Sequence, residues 1–154
     1  MTKDFGLLIL RLTGIGLAYA HGWPKIHGLV AGQTRFVEGV AALGFPMPQV
    51  FAWAAALSEV AGGLLIALGL FARFAAPFSA CVTFVAAFFR HHAFQQLLGK
   101  LGMAQLSEET LDKWGNPELA LVYLACFLTI LLLGPGRFSL DQLFRGGGGK
   151  GRRK

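Results

Sequence analysis

Charge is what this chain has little of. Of its 154 residues only 14% are Asp, Glu, Lys or Arg, and 55% are hydrophobic. A soluble domain carries about a quarter charged residues, so this balance excludes an ordinary soluble enzyme and leaves one membrane-embedded domain. Cysteine is nearly absent too. Cys81 and Cys126 form no Cys-x-x-Cys and lie inside apolar stretches. Counted at 1.5 Å per residue, they sit ~10 Å and ~12 Å from opposite membrane boundaries, too offset for a disulfide. Both are expected as small core residues. A removable signal peptide is not expected, because the segment before Phe5 is very short and the first apolar run is long enough to remain as a span. No internal repeat is evident.

What is there is four long apolar runs, at residues 5–23, 50–71, 74–94 and 118–134. Each approaches the ~20 residues a helix needs to cross ~30 Å of hydrocarbon. The fold expected is all-α, an integral membrane four-helix bundle over residues 1–144, followed by a basic Gly-rich tail at 145–154. Four spans put both termini on one side. On that side lie Lys3, Arg73, Arg137, Arg145, Lys150, Arg152, Arg153 and Lys154; the opposite loops hold Lys25, Arg35, Lys100 and Lys113. The positive-inside rule then makes both termini cytoplasmic. The tail has the glycines of a phosphate-cradling loop but no flanking strand and helix. A segment held near anionic lipid is the better reading, not a nucleic-acid arm.

Local signals divide the chain further. The first span is expected to end near Gly22-Trp-Pro24, where proline and the ring mark the interface, and a loop of about 25 residues to follow. The second and third spans, joined around Ala72-Arg73, are expected as an antiparallel hairpin. Residues 107–114 read as a short helix with Ser107 as N-cap and acids in its first turn. After Gly134-Pro-Gly136, residues 137–144 read as a brief interfacial helix capped by Ser139.

Ionisable groups inside such runs mark a candidate site. A charge at bilayer depth costs at least ~2.5–3.5 kcal/mol on insertion scales, so it faces a partner or a polar cavity. Arg11 is expected ~9 Å and Glu59 ~16 Å above the inner boundary, a gap of ~7 Å that an arginine can span. Arg90, His91, His92 and His21 fall near the outer boundary. Arg11, Gly14, Ala18, His21 and Lys25 form one stripe if the first helix persists past Pro24. Ala55, Glu59 and Gly63 share a face, as do Ser79, Thr83, Ala87 and His91. Small residues on these stripes permit close helix approach.

Each group also has a plain structural reading. Arg11 and Glu59 can be an ion pair that fixes register in lipid. The histidines can be interfacial, and Lys25 and Arg90 can snorkel to headgroups. A b-type haem would need two facing histidines, which His21 and His91 or His92 supply. One carboxylate and two cations beside it would make an unusual haem pocket, so no haem is expected. A metal at His91-His92 is not expected either, since adjacent side chains point ~100° apart and no third ligand is assured.

The ordered set of Arg11, His21-Gly-Trp-Pro-Lys25-Ile-His-Gly28, Glu59-Val-Ala-Gly-Gly-Leu-Leu-Ile-Ala-Leu-Gly-Leu70 with Arg73, the histidines ending the third span, Glu118-Leu-Ala-Leu-Val-Tyr-Leu124 and Gly134-Pro-Gly-Arg-Phe-Ser-Leu-Asp141 resembles the DoxX family. The resemblance runs from about Gly6 to Asp141. It implies a four-helix protein of the bacterial plasma (inner) membrane, related in name and partly in sequence to the membrane subunit of thiosulfate:quinone oxidoreductase. It also implies association with redox enzymes and contact with quinone.

Two functions follow as expectations. The first is a membrane subunit of a quinone-linked redox complex, with a quinone-like molecule held in the outer half of the bundle by Arg11, His21, Lys25, Glu59, Arg90, His91 and His92. Histidines would donate protons near neutral pH, Lys25 or Arg11 would stabilise anionic charge, and Glu59 would relay protons. Phe51, Trp53, Phe88 and Phe89 would supply apolar contacts. Such a chain has no redox cofactor of its own, so a partner enzyme must carry it. The alternative is a non-catalytic scaffold or assembly partner, docking through the tail or through residues 107–114. Solute or proton passage ranks last, because four spans leave a narrow path unless the protein oligomerises.

Overall fold

Among the described residues every regular element is a helix. A computed structural model describes residues 1–147, and the tail beyond them lies outside the described residues. The elements are α1 (Thr2–Val30), α2 (Arg35–Ala42), α3 (Pro48–Leu68), α4 (Ala72–Arg90), α5 (Ala93–Lys100), α6 (Glu108–Trp114), α7 (Glu118–Leu133) and α8 (Leu140–Gly147). Helices α1, α3 and α4 are each long and apolar enough to cross a membrane. The 16 residues of α7 rise only ~24 Å, and α7 reaches that length only together with α6, from which it bends by 42°. The result is the expected membrane bundle of four principal helices. The start of α1 and the α7–α8 link meet at one end, the terminal end. Helices α2, α5 and α6 lie at the other, the loop end.

Small residues decide how the helices pack. Ala72, Ala75, Ala76, Ser79, Ala80, Thr83 and Ala87 form one buried ladder on α4, and α7 lies along it with Tyr123, Phe127 and Ile130 inward. Hydrocarbon supplies no hydrophobic drive between helices, so close van der Waals approach does this work. Helix α1 crosses α3 at Gly14 and Gly63, where a Cβ on either glycine would overlap the other's carbonyl oxygen. Phe5, Ile9, Leu12 and Phe74 point outward, as a lipid-facing surface requires. Of the cysteines, Cys126 is buried as expected; Cys81 is exposed, which corrects its assignment to the core.

Two span boundaries differ most from the sequence expectation. Helix α1 does not stop at Pro24 but runs to Val30. Leu17–Gly22 just before it is a π-helical turn, in which Trp23 N–H reaches back five residues to Ala18 O. The wider turn accommodates the proline ring that would crowd a tight helix. The expected 25-residue loop therefore shrinks, and what remains contains α2. At the other boundary the third span ends at Arg90, because His92 adopts a left-handed conformation at φ 51° and turns the chain into α5.

The terminal end is closed by the segment after α7. Asp141 Oδ1 accepts from Phe71 N–H at 2.8 Å and Oδ2 from Ala72 N–H at 3.2 Å, capping α4 from 69–70 residues away. Asp141 N–H donates to Gly69 O at 2.9 Å, so the hairpin turn and the start of α8 hold each other. Asp4 Oδ1 accepts from Arg137 N–H at 3.0 Å. Ser139 caps α8 as expected, its Oγ accepting from Gln142 N–H, although the helix begins at Leu140 instead of residue 137.

Candidate functional site

The site grows from three π-helical turns. Besides Leu17–Gly22 in α1, Ser58–Gly62 interrupts α3 and Ala86–Arg90 ends α4. Single π turns inside α-helices concentrate at functional sites, because the extra residue re-aims side chains and loosens the backbone ladder. Here the first turn carries His21, the second Glu59 and the third Arg90. The α1 and α3 turns touch: a Cβ on Gly22 would sit 2.9 Å from Glu59 Cβ. Ser79 Oγ donates to Ser58 O at 3.2 Å, satisfying a carbonyl of the α3 turn.

Glu59 is 3% exposed, and its partner is Lys25, whose Nζ lies 2.5 Å from Glu59 Oε1. The sequence had paired Glu59 with Arg11, and that pairing is corrected. Extension of α1 past Pro24 carries Lys25 to the level of Glu59. The terminal clasp takes Arg11 instead: its Nη2 donates to Phe138 O, and Gly69 packs against its guanidinium. Lys25 keeps 29% of its side chain exposed and stands 5.0 Å from the centroid of the Phe36 ring, a cation–π contact. Glu59 Oε2 has no hydrogen-bond partner among the described residues, nor do Arg11 Nε and Nη1.

Around the pair lies a cavity of about 940 Å³. Its wall includes His21, Lys25, Glu59, Arg90 and His91, so five of the seven residues singled out in the sequence meet there; Arg11 and His92 do not line it. Of the four apolar contacts expected, Phe51 lines it, and Trp53, Phe88 and Phe89 do not. Phe36, Arg35, Phe78 and Tyr123 also line it and were not anticipated. Phe36, Val40 and Leu43 recur at a helical spacing that a reading of this stretch as loop passed over. Among its cations are Lys25, Arg35 and Arg90, opposed by one carboxylate, Glu59.

The loop-end wall is fixed by side chains of α4 and α5 reaching the C-terminus of α6. Arg90 Nη1 donates to Lys113 O at 3.2 Å, and His91 Nδ1 is 2.6 Å from Trp114 O. Gln96 Nε2 donates both to His91 O at 2.8 Å and to Gly115 O at 2.7 Å. These donors meet the carbonyls that a helix end leaves unpaired. A carbonyl only accepts, so His91 carries a proton on Nδ1, and in the neutral ring Nε2 keeps its lone pair. His92 stacks on Trp114 with centroids 4.3 Å apart, which makes it part of this clamp. His21 meets Tyr123 edge to face at 5.7 Å. Ser107 caps α6 as anticipated, accepting from Thr110 N–H at 3.3 Å.

Known proteins give the chain its relatives. It is 31% identical over 141 residues to Inner membrane protein YqjF of Escherichia coli K12, covering 92% of this chain and 93% of that one. It is 31% identical over 145 residues to Inner membrane protein YphA of the same organism, covering 90% and 94%. No solved structure matches. Together with the helices long enough to cross a bilayer, these relatives place the chain as a multi-pass protein of a bacterial inner membrane. The pattern of the DoxX family matches residues 6–93, from the first span through the histidines that follow α4, and the chain belongs to that family.

Proposed function

We propose that the loop-end cavity binds a quinone-like aromatic molecule on behalf of a membrane redox complex, in which a partner enzyme supplies the redox cofactor. The observation that carries this reading is the convergence of His21, Lys25, Glu59, Arg90 and His91 on one cavity with Phe36, Phe51 and Phe78 in its wall. A quinone presents a flat apolar ring and two carbonyl acceptors, so it needs aromatic walls with a few donors between them. Lys25 is the donor held most firmly, because Glu59 fixes the position of its ammonium. Arg90 adds a permanent cation, and His21 an imidazole with a ring nitrogen for hydrogen bonding. Arg11 and His92 drop out of the proposed pocket.

Organic extraction of the purified protein followed by mass spectrometry, with titration of a soluble quinone analogue, tests the reading. Saturable binding that Lys25→Met weakens by tenfold or more supports it. Absence of extracted quinone together with non-saturable titration overturns it.

A further inference from the structure

The terminal end holds a second cavity, of about 950 Å³, where the start of α1, the α3–α4 turn and the α7–α8 link meet. Lys3, Arg73 and Arg137 all line it and are all exposed. None of the three forms an ion pair with a carboxylate among the described residues. The two acids in the wall are already engaged. Asp4 accepts from Arg137 N–H, and Asp141 accepts from Phe71 and Ala72 N–H. Those bonds position the backbones that carry Arg137 and Arg73. The guanidinium of Arg73 also lies across Gly134, where a Cβ would come within 2.9 Å of its Nε. Much of the rest of the wall is apolar and turned outward: Phe74, 71% exposed, opens a helix long and apolar enough to cross a membrane, and Phe144, 69% exposed, stands beside it on α8.

We infer that this groove is a binding site for an anionic phospholipid. Its phosphate would lie among Lys3, Arg73 and Arg137, and its acyl chains would run along Phe74. Charge complementarity selects the occupant. Three cations without carboxylate partners at the rim of a span take a phosphate through charge-assisted bonds, with Arg73 and Arg137 able to grip two oxygens each. An apolar wall continuous with the lipid-facing surface selects a lipid over a free ion. By the topology expected from the sequence, eight basic residues fall on this side of the membrane against four on the other, four of the eight lying outside the described residues. Anionic headgroups attract such a surface.

The test is native mass spectrometry of the full chain in neutral detergent, titrated with phosphatidylglycerol and with phosphatidylcholine. Phosphatidylglycerol is expected to be retained preferentially, and Arg73→Gln/Arg137→Gln to weaken it by roughly 30-fold. Lys3→Gln, whose side chain makes no bond in the clasp, keeps the test valid should the double variant fail to fold; it is expected to cost roughly fivefold. Lys100→Gln/Lys113→Gln removes equal charge from the loop end and should leave retention unchanged. Equal retention of the two lipids, displacement by inorganic phosphate, unaltered binding in Lys3→Gln, or equal loss in the loop-end variant would each overturn the inference.

Discussion

Each end of this bundle buries an ionised side chain, and the two ends use it differently. At the terminal end Arg11, 1% exposed, donates to a backbone carbonyl inside a clasp whose other members, Asp141 and Ser139, also bond to backbone. At the loop end Glu59, equally buried, holds a lysine that remains open to a cavity. A charge in a membrane helix therefore marks polar surroundings. Only what the paired group itself touches says whether those surroundings close on themselves or leave a cation for a ligand. The clasp stitches distant segments together around a guanidinium that is 1% exposed, two of whose nitrogens have no partner among the described residues, whereas the cavity leaves its cation 29% exposed.

Breaking the loop-end pair should have the largest effect. Lys25→Met leaves Glu59 buried without its cation. Stability should fall by roughly 3 kcal/mol, the low end for a broken buried pair because Lys25 is partly exposed. Lys25→Met/Glu59→Met should recover most of that loss while still failing to bind a quinone analogue, as measured by thermal unfolding in detergent and by titration. A double variant that binds like the parent would reduce the pair to a structural device and erase the contrast with the clasp.

Next in size is Asp141→Ala, which strips two caps from the start of α4 and should cost about 2 kcal/mol. Binding in the loop-end cavity should stay within about twofold of the parent, since the terminal clasp lies at the other end of the bundle. Coupled losses of stability and binding would show that the two ends are one unit. Gly134→Ala should cost about 1–3 kcal/mol, because φ 79° with ψ −178° is a conformation all but reserved for glycine and the new Cβ would press on the Arg73 guanidinium. Gln96→Ala removes the donor shared by His91 O and Gly115 O and should cost about 1 kcal/mol. Faster amide hydrogen exchange should appear at residues 107–115 and not in α4.

The sequence made the spans and their inward stripes legible because both rest on period and composition. Gly14, Ala18, Glu59, Gly63, Ser79 and Thr83 face where their three- and four-residue spacing put them. It misplaced the partner of Glu59 because Pro24 reads as a stop, and nothing local announces that a π turn will absorb it. The partner of Arg11 could not be read at all. It is the carbonyl of Phe138, 127 residues away, and a backbone oxygen carries no signature in side-chain identity. Gln96 was missed for the same reason, since both its acceptors are carbonyls.

A photoreactive quinone analogue, cross-linked to the purified protein and mapped by peptide mass spectrometry, separates the two ends most directly. The account predicts label on residues 21–51 and 78–91, competed away by unlabelled quinone and lost in Lys25→Met/Glu59→Met. Label concentrated on residues 134–144 or spread evenly over the lipid-facing surface, or label that unlabelled quinone does not displace, would contradict it.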